Sequence, residues 1–137
     1  MYIAHWYHLV LDLAMSIRPT SRAFKTAGFA KTSKKARISD KALCQAIRQV
    51  WAGQADDLGG GVYKKRLNEN LHRSIILAKG AKYWIYEYLF AKKDRANVDE
   101  DELFAFRLLA KSYAGLTENQ VGQLLAAGDF VEICRDD

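Results

Sequence analysis

Two lysines and an arginine, Lys64-Lys65-Arg66, follow a run of three glycines within the stretch Leu58 to Leu67. Basic residues recur soon after. Arg73 stands in Leu71-His72-Arg73-Ser74-Ile75-Ile76-Leu77, and Lys92, Lys93 and Arg95 in Ala91-Lys92-Lys93-Asp94-Arg95-Ala96-Asn97. The apolar segments between these clusters read as successive strands. A sheet sets strand ends side by side, so the cations would gather into a surface suited to phosphate, and an RNA-facing site is expected. The glycines do not form a Walker cradle, which ends in Gly-Lys-Ser/Thr. A tight or bulged entry into a strand fits them better.

The elements that must position these cations can be read in turn. Arg22 to Lys25 reads as a short first strand and Ala27 to Lys35 as a helix. Ser39 is a good N-cap, with Asp40 at the positive end, for a second helix through Trp51 with Leu43, Ile47 and Val50 on its apolar stripe. Asp56 to Gly61 reads as a loop, Val62 to Leu67 as a strand and Asn68 to Asn70 as a turn. Arg73 to Leu77 and Tyr83 to Phe90 read as further strands, with Lys79-Gly80 between them. On a period of two, Trp84, Tyr86, Tyr88 and Phe90 share one face, a base-stacking surface or, by default for Trp84 and Phe90, core.

Asp99 with Glu102, and Thr117 with Gln120, are capping pairs opening two further helices, which end at Gly115 and Gly128. Phe130 to Cys134 is a strand or an extended tail. Runs of strands and of helices, rather than strict alternation, indicate an α+β fold with an antiparallel sheet.

A chain of 137 residues, half of them hydrophobic, is long enough for a real core. Its charge is uneven. Arg22 to Arg95 holds 17 Lys/Arg against 6 Asp/Glu, a net +11, whereas Ala96 to Asp137 holds 3 against 9, a net −6. A basic body of this kind suits a polyanion, with a merely solvated surface as the rival reading. Cys44 and Cys134 are the only cysteines and lack metal-type spacing; of a disulfide between them and two buried reduced thiols, the thiols are expected, as fits a cytoplasmic protein. His5, His8 and His72 are scattered, so neither a metal nor another cofactor is expected. No membrane span is visible. Residues 1–14 read as an amphipathic helix, an extension packed on the body, or the product of an upstream start codon with Met15 as the true start, the last being favoured; they are expected to be dispensable.

The strand, two helices and three strands, the LGGG-x-Y-K-K-R-L entry, the R-S-I-I-L strand and the F-A-K-K-D-R-A-N segment resemble the RelE/HigB toxins of bacterial type II toxin–antitoxin systems, within the RelE/ParE superfamily. The resemblance covers about Ser21 to Val98 and extends through D-E-L and A-A-G-D-F-V-E-I. It implies a RelE-like fold: an N-terminal extension over 1–20, a toxin core over 21–98 and a C-terminal helical extension over 99–137. It further implies a ribosome-dependent mRNA endoribonuclease that inhibits translation. The implied partners are the ribosome, mRNA and a cognate antitoxin, of helix-turn-helix type, from the adjacent gene.

Carried over by position, the resemblance puts the catalytic cations on Lys64, Arg66, Arg73 and Lys93, with Lys65, His72, Lys92 and Arg95 as RNA-binding residues. Lys64 and Arg66 are two apart and share a face, whereas Lys65 points to the other. RNA carries its own nucleophile, the 2′-hydroxyl, and clustered cations can stabilise the phosphorane without a metal. A lysine crowded by cations can serve as base, the role expected of Lys64. Arg66 and Arg73 would clamp phosphate, and Lys93 would stabilise charge or protonate the leaving oxygen. The plainer reading of each is a solvated strand-edge cation. Relatives place a tyrosine shortly after the last basic cluster, but Val98 and Asp99 stand there. Tyr63, His72, Tyr86 and Tyr88 are the nearby alternatives. The missing tyrosine sustains a second reading, a non-catalytic basic module that binds RNA or protein.

Overall fold

The computed structural model describes residues 21–135, so the expectations for the N-terminal extension lie outside the described residues. The elements are β1 (Arg22–Thr26), α1 (Ala27–Lys35), α2 (Asp40–Trp51), β2 (Asp56–Gly59), β3 (Val62–Leu67), β4 (His72–Lys79), β5 (Tyr83–Ala91), α3 (Glu100–Ala114), α4 (Glu118–Ala127) and β6 (Phe130–Ile133). The strands form one sheet in the order β2-β3-β4-β5-β1-β6. Four of its five pairings are antiparallel; β1 runs parallel to β5, because α1, α2 and the β2–β4 strands intervene before the chain returns beside it. The fold is α+β.

Local chemistry sets the helix ends. Thr26 and Ser39 side chains accept from the backbone N–H of Phe29 and Ala42 at 3.1 Å, starting α1 and α2. Both reciprocal capping boxes form, Asp99 with Glu102 and Thr117 with Gln120. Gly128 ends α4 at φ +79°, a conformation glycine adopts without strain.

Helices cover both faces of the sheet. On one, Phe29, Leu43, Ile47 and Val50 of α1 and α2 pack on Leu67, Ile76, Tyr86 and Leu89. Tyr86 donates its hydroxyl to the Leu43 carbonyl at 2.7 Å, and burial pushes its pKa well up. On the other, Ala110 of α3 meets Val62, Ile75, Leu77 and Phe90, and Val121 of α4 meets Phe24, Ile85 and Phe130.

Three expectations are corrected. Asp56 to Gly61 is not a loop throughout: Asp56–Gly59 is an edge strand paired with β3. Its Asp-Asp-Leu-Gly sequence carries no strand signal, and the pairing supplies the structure. The glycine run is the turn between them, with φ between +64° and +85°, and a Cβ on Gly60 would fall 2.9 Å from Cγ of Arg107. The cysteines are not reduced thiols but a disulfide tying α2 to the residue after β6. Only β6 returning along β1 brings Cys134 to α2.

The aromatic stripe of β5 is also divided. Tyr86 pairs with Ile76 and Tyr88 with Ile75, so Glu87 is an extra residue in a β-bulge. Trp84 and Tyr86 therefore face α1 and α2, while Tyr88 and Phe90 face α3. Trp84 stacks on Tyr63 at 5.3 Å, and Tyr88 on Phe90 at 5.7 Å and Phe106 at 5.8 Å. Of the two forms left open for the segment after Gly128, the structure shows the strand, β6, paired with β1.

A candidate nucleic-acid site at one end of the sheet

Strand register builds the site. Arg66 on β3 lies directly opposite Arg73 on β4, which lies opposite Phe90 on β5. One step inward, Lys64, Ile75 and Tyr88 form the next row on the same face. Like charges directly opposite each other disfavour pairing, so the Arg66–Arg73 pair is a local cost that a bound anion would relieve. Lys92 and Lys93 follow β5 at this same end, exposed, where Lys92 N–H donates to the Leu71 carbonyl at 2.9 Å.

The four expected catalytic cations differ in their freedom. Arg66 is exposed, with no hydrogen bond or ion pair to any described residue. Arg73 is only 7% exposed and donates through Nη1 to the carbonyls of Asn70 and His72 at 3.0 and 3.1 Å. Asn68, Glu69 and Asn70 all have positive φ, between +52° and +71°, so Arg73 holds together a strained turn. Lys64 has a side chain 17% exposed; it donates to Oδ1 of Asn97 at 3.3 Å and lies 3.8 Å from Oδ2 of Asp56. Lys93 is exposed.

Of the four expected RNA-binding residues, Lys92 is exposed and His72 half-buried at the sheet end, with its Nδ1 3.2 Å from Asn68 Nδ2. Lys65 points to the other face, as its position requires, and donates to the Gln54 carbonyl at 2.9 Å. Burial, and then the Arg66 charge, pull its pKa down. Arg95 turns toward α3. Its guanidinium grips both carboxylate oxygens of Glu102, one at 2.9 Å, lies 5.6 Å from the Phe90 ring centre and reaches Tyr88 Oη at 3.5 Å.

Among the alternatives, Tyr88 is the tyrosine that the bulge turns onto the cationic face, beside Arg95. Asn97, Asp56 and Glu102 were not singled out as site residues. Asn97 lies within the F-A-K-K-D-R-A-N segment, but nothing in the sequence indicated that its amide would meet Lys64 on a strand 33 residues earlier.

The Arg95–Glu102 pair makes a measurable acid dependence. The Arg95 hydrogen bond, with the Asp99 N–H second, lowers the Glu102 pKa from 4.5 to about 2. A lowered folded-state carboxylate pKa stabilises fully above the unfolded value and is lost as pH falls through the folded one. Unfolding midpoints of the parent are therefore expected to fall between about pH 4.5 and about 2, and those of Glu102→Gln to fall less steeply there. Parallel slopes would show that the pair has no such linkage.

Among the described residues no helix is long and apolar enough to cross a membrane, and no cluster of three or more His, Cys, Asp or Glu could hold a metal ion. The model of one family, the RelE toxin of the RelE / RelB toxin-antitoxin system, matches residues 21–133. No curated protein and no solved structure matches the chain.

Proposed function

Because this chain belongs to the RelE toxin family, as the toxin member of a toxin–antitoxin system, we propose that it is an endoribonuclease that cuts mRNA on the ribosome and so inhibits translation. The observation that carries the reading is the Arg66–Arg73 cross-strand pair beside Lys64, three cations on one face at one sheet end. A phosphate seated between the arginines would relieve their repulsion and gain bidentate hydrogen bonds. The 2′-oxygen attacks the adjacent phosphorus, the bond to the 5′-oxygen breaks, and the products are a 2′,3′-cyclic phosphate and a 5′-hydroxyl. Arg66 and Arg73 stabilise the charge on the phosphorane. Lys64, set between an amide oxygen and a carboxylate rather than among cations alone, serves as a positioned cation and not as the base. Tyr88 supplies a hydroxyl that can carry a proton on this face, and Lys93 stands ready at the leaving side.

The antitoxin, a helix-turn-helix protein from the adjacent gene, meets the basic body through an acidic or amphipathic segment, and the cytoplasm is where all these partners meet. Induction of this chain alone is expected to arrest growth and translation, and co-expression of the neighbouring gene to restore both. Purified chain should cut mRNA on translating ribosomes, and saturating antitoxin should abolish both ribosome co-sedimentation and cleavage. Binding should weaken with salt, more steeply for RNA because counterions are released. Harmless expression of soluble, full-length protein would overturn the toxin reading. Ribosome binding without cleavage would leave the non-catalytic binding module in its place.

A further inference from the structure

Around the sheet end from the cationic row lies a cavity of about 590 Å³, lined by Leu71, His72, Ala91, Lys92 and Lys93. Its wall is mainly apolar, and its rim is cationic. Leu71 is 60% exposed, an aliphatic side chain left in water beside a basic cluster. The backbone around it is tied down. Lys92 N–H donates to the Leu71 carbonyl, and His72 and Ala91 are cross-strand partners. That pair is one residue along from Arg73 and Phe90, about 3.3 Å, although alternation sends its side chains to the opposite face. A polymer gripped at Arg66 and Arg73 would cross this edge to reach the cavity.

We propose that the cavity is a base-holding subsite, in which an unstacked nucleobase flanking the gripped phosphate rests on Leu71 and Ala91 while its own phosphates meet Lys92 and Lys93. The inference rests on the RNA reading of the cationic row. Single-stranded RNA is read through splayed-out bases held in apolar slots, and every base carries a phosphate within reach of a flanking cation. This matches an apolar wall with two lysines at its mouth, in line with two arginines one residue away. An apolar anchor on an acidic protein segment would also fill the wall, but single-stranded RNA couples a planar base to a phosphate at every step, as the slot and its paired cations do. The His72 ring, its Nδ1 engaged by Asn68, has Nε2 left for the edge of a base.

The test is equilibrium binding of the full chain to a short, uniformly 2′-O-methylated RNA, which cannot be cut through the 2′-oxygen. It is compared with the same strand made abasic at each position in turn. One abasic position is expected to weaken binding about tenfold, the scale of a single base seat. Leu71→Ser should weaken the intact strand by the same factor and erase the difference between intact and abasic strands. Lys92→Ala should weaken both strands alike and reduce the salt slope by about 0.7. Leu71 is exposed, so its replacement leaves the core untouched.

Equal affinity for intact and abasic strands, persistence of the difference in Leu71→Ser, or no RNA binding at all would overturn the subsite. Leu71→Ser weakening only antitoxin binding would assign the slot to the protein partner and overturn it too. Because the probe resists cleavage, a chain that fails to cut mRNA can still show the base effect. A chain that cuts mRNA with no base effect retains the proposed function without the subsite.

Discussion

Arg66→Ala is expected to lower RNA cleavage about a hundredfold without lowering the unfolding midpoint. Arg66 is the exposed cation of the row and makes no hydrogen bond or ion pair to a described residue, so its removal should leave the fold unaltered. Loss of one donor aimed at a developing phosphorane costs roughly 3 kcal/mol, which is about two decades in rate. Lys79→Ala is the control. Lys79 is six residues along β4 from Arg73, roughly 20 Å away, where it reaches the Ala114 carbonyl and the Tyr83 ring.

Arg73→Ala should behave differently from both. It removes a clamp, but it also leaves the carbonyls of Asn70 and His72 without their donor in a turn of three left-handed residues, a loss on the order of 1–3 kcal/mol of stability. The substitution that removes a clamp and spares the fold is therefore Arg66→Ala, not Arg73→Ala. Single-turnover cleavage and urea unfolding of the three variants separate these effects. Equal cleavage by Arg66→Ala and Lys79→Ala would remove Arg66 from the site.

Reducing the Cys44–Cys134 bond is expected to destabilise the fold by about 4 kcal/mol, the largest stability change we anticipate from any single bond. The bond closes a loop with a sequence separation of 90 residues, and a long loop loses the most entropy in the unfolded chain when it is closed. It anchors α2, through Cys44, to the end of β6, a four-residue strand that pairs with β1 and with no other strand among the described residues. The urea midpoint in a thiol reductant and that of the Cys44→Ser, Cys134→Ser double variant should agree with each other and fall well below that of the oxidised protein. Coincident curves for oxidised and reduced protein would show that the bond adds nothing. A compartment that keeps thiols reduced would withhold this stability, so the fold must there rely on the apolar packing on both faces of its sheet.

What the sequence determined by itself is what local chemistry decides. Thr26, Ser39, Asp99 and Thr117 begin the four helices because a short polar side chain can satisfy an N–H two or three residues on, and the information lies within one turn. Lys64 and Arg66 share a face because they are two apart on a strand, and Lys65 opposes them for the same reason. The motifs around these residues were enough to indicate the family.

Tertiary structure decided the rest, because each remaining feature depends on residues far apart in the chain. The bulge at Glu87 could not be read because both faces of β5 are covered by helices. Apolar residues then occupy both phases of the strand, and the alternation that would reveal a slip is absent. That bulge, not the motif, turns Tyr88 toward Arg95 and Tyr86 into the core. Asp56–Gly59 became a strand through pairing with β3 against its own propensities, and the cysteines met only because β6 returned along β1. The division of the cations was settled in the same way. Lys64 found Asn97, Arg95 found Glu102 and Arg73 found the turn carbonyls, which left Arg66 free, because a side chain's partners are set by which strands and helices come to lie beside it.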